Sequence, residues 1–308
     1  MTDIPILDWS RAGADPNAFA RDLGAAARGT GFFLLANPAV PVDLRAAVFA
    51  QADRLFALPR AAKEAVSILS TPHYRGWAAP GDESLDETRP EVDTKETFNI
   101  GYDLPPDDPR VAAGEAFRGV NLWPGLSDFR ETMLTYYEAA QAQGVALLRV
   151  VARDLGLSPD YFDPLFAQPL SALRLLHYPP ATGAAGEIGA GAHTDYGAVT
   201  LLMTDGEAGL QVRPRNGDWI DVPHVPGAYV VNIGDCLMRW TNDTYVSTPH
   251  RVLPPARQRR SVAFFVEANP DATVVALPGT GEPKYPPIRA ADYLASRLEV
   301  TYAPKAPA

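Results

Sequence analysis

One cysteine, Cys236, is all that the 308 residues contain. It rules out an intramolecular disulfide and any zinc site built on several thiolates, and it fits a reducing compartment. No apolar run comes near the roughly 20 residues of a spanning helix. The start, Met1-Thr2-Asp3-Ile4-Pro5, has neither the basic segment nor the apolar core of an export signal. The expectation is a soluble, cytoplasmic protein with no membrane partner. Basic residues are outnumbered too: 27 Lys and Arg stand against 37 Asp and Glu, a formal net charge of -10. That balance repels a polyphosphate, and only the short run Arg257-Gln258-Arg259-Arg260 interrupts it, so nucleic acid is not an expected partner.

What is present is globular. Hydrophobic residues make up 46% and charged residues 21%, ample material for a core. The expectation is one catalytic domain, 1–308: a mixed α/β and loop region over 1–125, a scaffold helix over 126–156, a β-rich core over 170–268 and a C-terminal extension over 269–308. After an extended start at 4–8, Asp15-Pro16 offers a cap and a first-turn proline for a helix carrying Phe19 and Leu23 and stopping at Gly29. Residues 31–35 read as a buried strand. Residues 42–58 read as a second helix with Leu44, Val48 and Leu55 on one face and Pro59 at its end. Pro, Gly and acidic residues crowd 70–125, which reads as loops and short strands of the kind that wall pockets. In the scaffold helix, Phe129, Met133, Tyr136, Ala140, Leu147 and Val151 recur at helical spacing.

From 170 onward the texture changes to short β-rich runs at 172–178, 197–204, 209–213, 218–222, 228–233, 246–253 and 260–266, with Asn216-Gly217 as a hairpin connection. Such a series makes a sandwich or a jelly roll. The tail with Pro304 and Pro307 reads as loose.

His193-Thr194-Asp195 places an imidazole and a carboxylate two residues apart, so on an extended segment both point to one side. Alone, the pair is a weak signal and reads first as a hydrogen-bonded histidine and aspartate at a strand start. A third ligand is offered by His250 inside Ser247-Thr248-Pro249-His250-Arg251-Val252. Two imidazoles and one carboxylate on one face of a metal leave its other positions open, the arrangement of non-haem Fe(II) oxygenases. Arg259 and Ser261, again two apart, face one side of their strand and suit a single carboxylate. The other reading of Arg259 is a solvated basic turn shared with Arg257 and Arg260.

In this order the segments resemble the isopenicillin N synthase-like branch of the 2-oxoglutarate/Fe(II)-dependent oxygenases. Matching stretches are Gly31-Phe32-Phe33, Lys95-Glu96-Thr97-Phe98, Leu175-Leu176-His177-Tyr178-Pro179-Pro180, Gly191-Ala192-His193-Thr194-Asp195-Tyr196-Gly197, Val231-Asn232-Ile233-Gly234-Asp235, the His250 segment and the Arg-x-Ser strand. Together they span nearly the whole chain.

The resemblance implies a mainly β fold with helical additions: a double-stranded β-helix, or distorted jelly roll, with N-terminal and mid-chain helices packed outside. It implies His193, Asp195 and His250 as iron ligands and catalytic centre, and Arg259, Ser261 and Tyr178 as the cradle of 2-oxoglutarate. The implied cofactors are Fe(II), 2-oxoglutarate and O2. The implied reaction oxidises, most commonly hydroxylates, a small-molecule substrate through a ferryl intermediate and releases succinate and CO2. Desaturation and ring chemistry use the same ligands.

Substrate contacts are expected at Arg75, Phe98, Arg174 and Phe265. Other residues take plainer readings: His177 points opposite Tyr178, His224 lies in a loop, His73 sits in the variable middle, Asn232 and Asp235 are turn and backbone partners, and Cys236 is a small buried residue. Two rival functions stay open. One is an Fe(II) oxidase of the same fold that does not use 2-oxoglutarate, since such relatives carry the same Arg-x-Ser pair. The other is a jelly-roll binding module without activity.

Overall fold

The computed structural model describes residues 4–83, 85, 93–215 and 217–302. Asn216 of the expected hairpin turn and the Pro304–Pro307 tail lie outside the described residues. At the N-terminus local chemistry and structure agree. Strand β1 (Ile6–Asp8) and the single turn α1 (Arg11–Ala14) lead to α2 (Pro16–Gly29), where Asp15 accepts from the Ala18 N–H and Pro16 occupies the first turn. Strand β2 (Phe32–Ala36) pairs parallel with β1. The second expected helix, α3 (Val42–Phe56), ends short of 58, because Pro59 stands as the N-cap of a further short helix, α4 (Arg60–Glu64).

The stretch expected to be loops contains β3 (Gly76–Ala78), β4 (Glu96–Gly101) and the single turn α5 (Pro109–Ala112). Every residue of β4 is buried; its polar Glu96, Thr97 and Asn99 conceal it from any hydrophobic pattern. The scaffold helix is α6 (Phe129–Asp154). The strands that follow are β5 (Ala172–Tyr178), β6 (Ala190–His193), β7 (Val199–Thr204), β8 (Leu210–Val212), β9 (Ile220–Asp221), β10 (Tyr229–Ile233), β11 (His250–Val252), β12 (Arg259–Val266), β13 (Thr273–Val274) and β14 (Ile288–Arg289). Helix α7 (Asp235–Trp240) separates β10 from β11, and α8 (Ala290–Thr301) follows β14. The expected β-runs stand in place: β5 matches its run, β12 begins one residue earlier, and the others have trimmed ends. The run at 246–253 contributes only β11, and β6 is an addition whose small residues carry no strand signal.

Two sheets form the jelly roll. The larger runs β1-β2-β10-β7-β12-β5-β4-β3 and the smaller β6-β11-β8-β9. The larger sheet takes β1 to β4 from the N-terminal region, so the core is not confined to 170–268. Its central strands are buried on both faces, and alternation decides what each residue meets. Phe33, Leu35, Val262, Phe264 and Val266 turn outward into the main hydrophobic core, while Phe32, Leu34 and Ala263 turn inward between the sheets. Helix α6 covers the outer face, with Tyr137 set edge-on to Phe264 at 5.0 Å between ring centroids. Burial of each such aromatic or aliphatic side chain stabilises by about 1.5–3 kcal/mol. The inner face is less filled, and the cavity it leaves holds the site.

Candidate active site

Strand β11 pairs with β6 so that His250 stands opposite His193, with imidazole centroids 4.3 Å apart. Because β6 ends at His193, Asp195 projects from the loop beyond it and not from an extended strand as expected. That loop is clamped by the start of α7. The Asp235 N–H donates to the Asp195 carbonyl at 2.8 Å and the Cys236 N–H to the Gly197 carbonyl at 3.0 Å. A Cβ on Gly234 would stand 2.3 Å from the Gly197 oxygen, so only glycine permits the approach. The Nε2 atoms of His193 and His250 lie 3.8 and 3.6 Å from Oδ1 of Asp195. All three donor atoms fall within 4.8 Å of one another.

Hydrogen bonds settle which atoms are free. Nδ1 of His193 is 2.7 Å from the Gly191 carbonyl and Nδ1 of His250 is 3.2 Å from the Thr248 carbonyl. A carbonyl only accepts, so each Nδ1 carries the hydrogen and each Nε2 presents a lone pair. Burial, reinforced by His250, pushes the His193 pKa down and keeps that imidazole neutral. Burial opposes ionisation of Asp195, but the two imidazoles and hydrogen bonds from Thr200 and Asn232 outweigh it and lower the pKa. Thr200 Oγ1 at 2.5 Å and Asn232 Nδ2 at 2.8 Å both donate to Oδ2. Asn232 therefore acts through its side chain, a correction to its reading as a turn residue. Asp235 likewise accepts from Thr194 Oγ1 at 3.2 Å and the Tyr293 hydroxyl at 2.8 Å. Two imidazoles that each present Nε2 and a carboxylate that presents Oδ1 fit a divalent iron with open positions.

Arg259 begins the inward row of β12 and is 1% exposed. Its cross-strand neighbour is Tyr178, whose ring lies 4.9 Å below the guanidinium carbon. Nη1 donates to Ser261 Oγ at 3.3 Å and Nε has no partner. Among the described residues no carboxylate pairs with it, and a buried cation in that state is a receptor for an anion. Arg257 and Arg260 face outward, paired with Glu207 and with Asp53 and Asp205. The basic-turn reading thus holds for them and not for Arg259.

Of the expected substrate contacts, Arg174, Phe265 and Arg75 line the cavity and Phe98 does not. Arg174 donates from Nε to Asn99 at 2.9 Å and from Nη2 to the Tyr302 hydroxyl at 3.0 Å, and pairs with Glu83 at 3.3 Å. Arg75 is spent on Asn121 at 2.7 Å and the Phe117 carbonyl at 2.8 Å. Phe98 packs on Phe129 at 5.6 Å in the outer core. The correction is one step of strand parity: Asn99 is the residue that lines the cavity from that part of β4.

His177 sits outside, stacked on Phe56, and His224 beside Thr204, whereas His73 reaches the cavity wall. Sequence reading gave no role to Lys95 and Glu267, which line the same cavity, or to the acids that hold Lys95. Lys95 bridges Asp93 at 2.5 Å and Glu83 at 3.2 Å. Burial works against the Glu83 carboxylate, yet Arg174 and Lys95 bring its pKa down to about 2. Glu267 is 5% exposed and lines the cavity. Burial first, then the charges of Asp195 and Asp235, raise it to about 8. These residues share no motif spacing, and only the folded chain gathers them.

Residues 169–268 match the family described as the 2OG-Fe(II) oxygenase superfamily, and residues 4–126 match the non-haem dioxygenase in morphine synthesis N-terminal family. A 2-oxoglutarate-Fe(II) type oxidoreductase of Emericella nidulans is 37% identical over 98% of this chain and 91% of that protein. Clavatol oxidase of Penicillium crustosum is 35% identical over 97% of each. Among solved structures, a full-length Neurospora crassa protein in complex with alpha-KG matches with a TM-score of 0.85 at 34% identity, covering 96% of this chain and 95% of that one. The same protein has been solved with thymine and with 5-formyluracil. Among the described residues no helix is long and apolar enough to cross a membrane.

Proposed function

We propose, from the premise that this chain belongs to the 2OG-Fe(II) oxygenase superfamily, that His193, Asp195 and His250 hold its iron and that Arg259, Ser261 and Tyr178 hold the far carboxylate of 2-oxoglutarate. The chain is an Fe(II)- and 2-oxoglutarate-dependent oxygenase with O2 as its further co-substrate. The observation that carries the residue roles is convergence: two Nε2 lone pairs and Oδ1 meet while Nδ1, Nδ1 and Oδ2 are tied to protein.

Bound together, iron, 2-oxoglutarate and O2 supply an oxidant strong enough to break a substrate C–H bond, with release of succinate and CO2. The chain supplies position and dryness. The Gly191 and Thr248 carbonyls hold both imidazoles in one tautomer. Thr200 and Asn232 stop the Asp195 carboxylate from rotating. Arg259 fixes one end of an extended dicarboxylate by charge and fork geometry, and Leu176, Leu202 and Ala263 exclude water around it.

We place a small planar substrate with a polar edge where Asn99, Arg174, Tyr196 and Phe265 line the cavity, and take hydroxylation as the outcome. Aromatic walls beside amide and guanidinium groups support this, as does the Neurospora protein's complex with thymine. The Emericella relative, a 2-oxoglutarate-Fe(II) type oxidoreductase, and the Neurospora protein's complex with alpha-KG favour this reading over an oxidase that dispenses with 2-oxoglutarate. The test is incubation with Fe(II), 2-oxoglutarate and a panel of planar heterocycles, scored for succinate and for a product one oxygen heavier. Substrate consumption that proceeds without 2-oxoglutarate overturns the proposal.

A further inference from the structure

We propose that the Glu267 carboxyl recognises substrate by reading a neutral ring-amide edge, an N–H beside a C=O. This rests on the reading above that the cavity takes a small planar molecule. The inward row of β12 is Arg259, Ser261, Ala263 and Phe265, and Glu267 continues it past the strand end, so all five line one cavity. Its backbone is clamped: the Glu267 N–H donates to Ser171 Oγ at 3.0 Å and the same hydroxyl donates to the Glu267 carbonyl at 3.3 Å. Room for the side chain is built in. A Cβ on Gly197 would stand 2.6 Å from the Glu267 Cδ, so the bare glycine is what admits the carboxyl.

The group so accommodated has no hydrogen-bond or cation partner for its carboxyl among the described residues, although it is 5% exposed. A buried polar group without a partner is unfavourable and rare; here the missing partner is a ligand. The charged neighbours that act on it, Asp195 and Asp235, are both acids. Burial itself favours the neutral carboxyl, which offers one donor and one acceptor side by side. That is the complement of a cyclic amide.

The test is anaerobic calorimetry on the full chain with Fe(II) and 2-oxoglutarate present, using thymine, 1,3-dimethylthymine, p-cresol and benzylamine as probes. Thymine is expected to bind the wild type, within about threefold as well to Glu267→Gln, which keeps a donor and an acceptor, and about tenfold or more weakly to Glu267→Leu. Dimethylthymine, without an N–H, should bind weakly to all three. Melting curves check that the leucine variant folds; if it does not, the glutamine variant and the methylated probe carry the test. Equal thymine binding by Leu and wild type overturns the inference. So does a glutamine variant as impaired as the leucine variant, or a preference for benzylamine lost in both, since each marks a charge role. If p-cresol binds and thymine does not, the planar-substrate reading stands and the inference falls. If no ring binds, the substrate reading itself fails.

Discussion

Nδ2 of Asn232 donates a 2.8 Å hydrogen bond to Oδ2 of Asp195, while Oδ1 is the atom that stands 3.6 Å from Nε2 of His250. The carboxylate is aimed by the protein before any ion binds. Partners of this kind typically matter about 10- to 100-fold for metal affinity or activity, so Asn232→Ala should weaken Fe(II) by that order while the fold survives. Unchanged iron titration would leave Asn232 a purely structural residue.

Replacing His193, Asp195 or His250 by alanine should each remove most iron and most turnover, because three protein donors leave none to spare. Asp195→Glu should keep some metal but lose activity, since the longer arm cannot keep both Oδ2 hydrogen bonds and the same Oδ1 position. Iron content after desalting, read beside succinate formation, separates the two effects. A single alanine variant with normal iron and turnover removes that residue from the ligand set.

Phe98 should matter for stability alone. Truncating a fully buried phenylalanine costs about 3–5 kcal/mol, so Phe98→Ala should lower the melting temperature clearly. The milder Phe98→Leu should fold and show the wild-type affinity for 2-oxoglutarate. A changed substrate preference in Phe98→Leu would restore the contact that strand parity denies it.

How much of this was legible beforehand differs by element. The capped helix after Asp15, the periodic α6 and the apolar strand β5 declare themselves because local chemistry and burial agree. So do the cluster of His193, Asp195 and His250 and the Arg-x-Ser pair. Strand β4 does not, since polar Glu96, Thr97 and Asn99 interrupt both of its faces, and a one-residue error of face misplaced Phe98 for Asn99. Glu83 and Glu267 had no signal at all, and Lys95 only its place in a matching stretch: a buried charge is invisible until its partners, or their absence, are brought within reach. Gly197 and Gly234 look like turn glycines and turn out to be points of close approach.

Glu267 also gives a pH prediction. Its folded pKa, about 8, lies above the 4.5 of an ordinary glutamate, so between those values the unfolded chain loses a proton that the folded chain keeps. Stability from this group is therefore complete below about pH 4.5 and declines as pH rises towards 8, at no more than about 1.4 kcal/mol per unit. Glu267→Gln removes the penalty and should raise the melting temperature more at pH 8 than at pH 5. An equal shift at both values would contradict a buried neutral carboxyl.

We place 2-oxoglutarate across one cavity, from the His193, Asp195 and His250 cluster to Arg259. The direct measurement is the anaerobic dissociation constant of 2-oxoglutarate for the Fe(II)-loaded wild type and for Arg259→Gln, with iron content determined on the same samples. Removing one member of a buried charge pair costs about 2–5 kcal/mol, so the variant should bind 2-oxoglutarate roughly 30- to several-thousand-fold more weakly while holding iron as the wild type does. Equal affinity in the two proteins would contradict the account and separate Arg259 from the co-substrate.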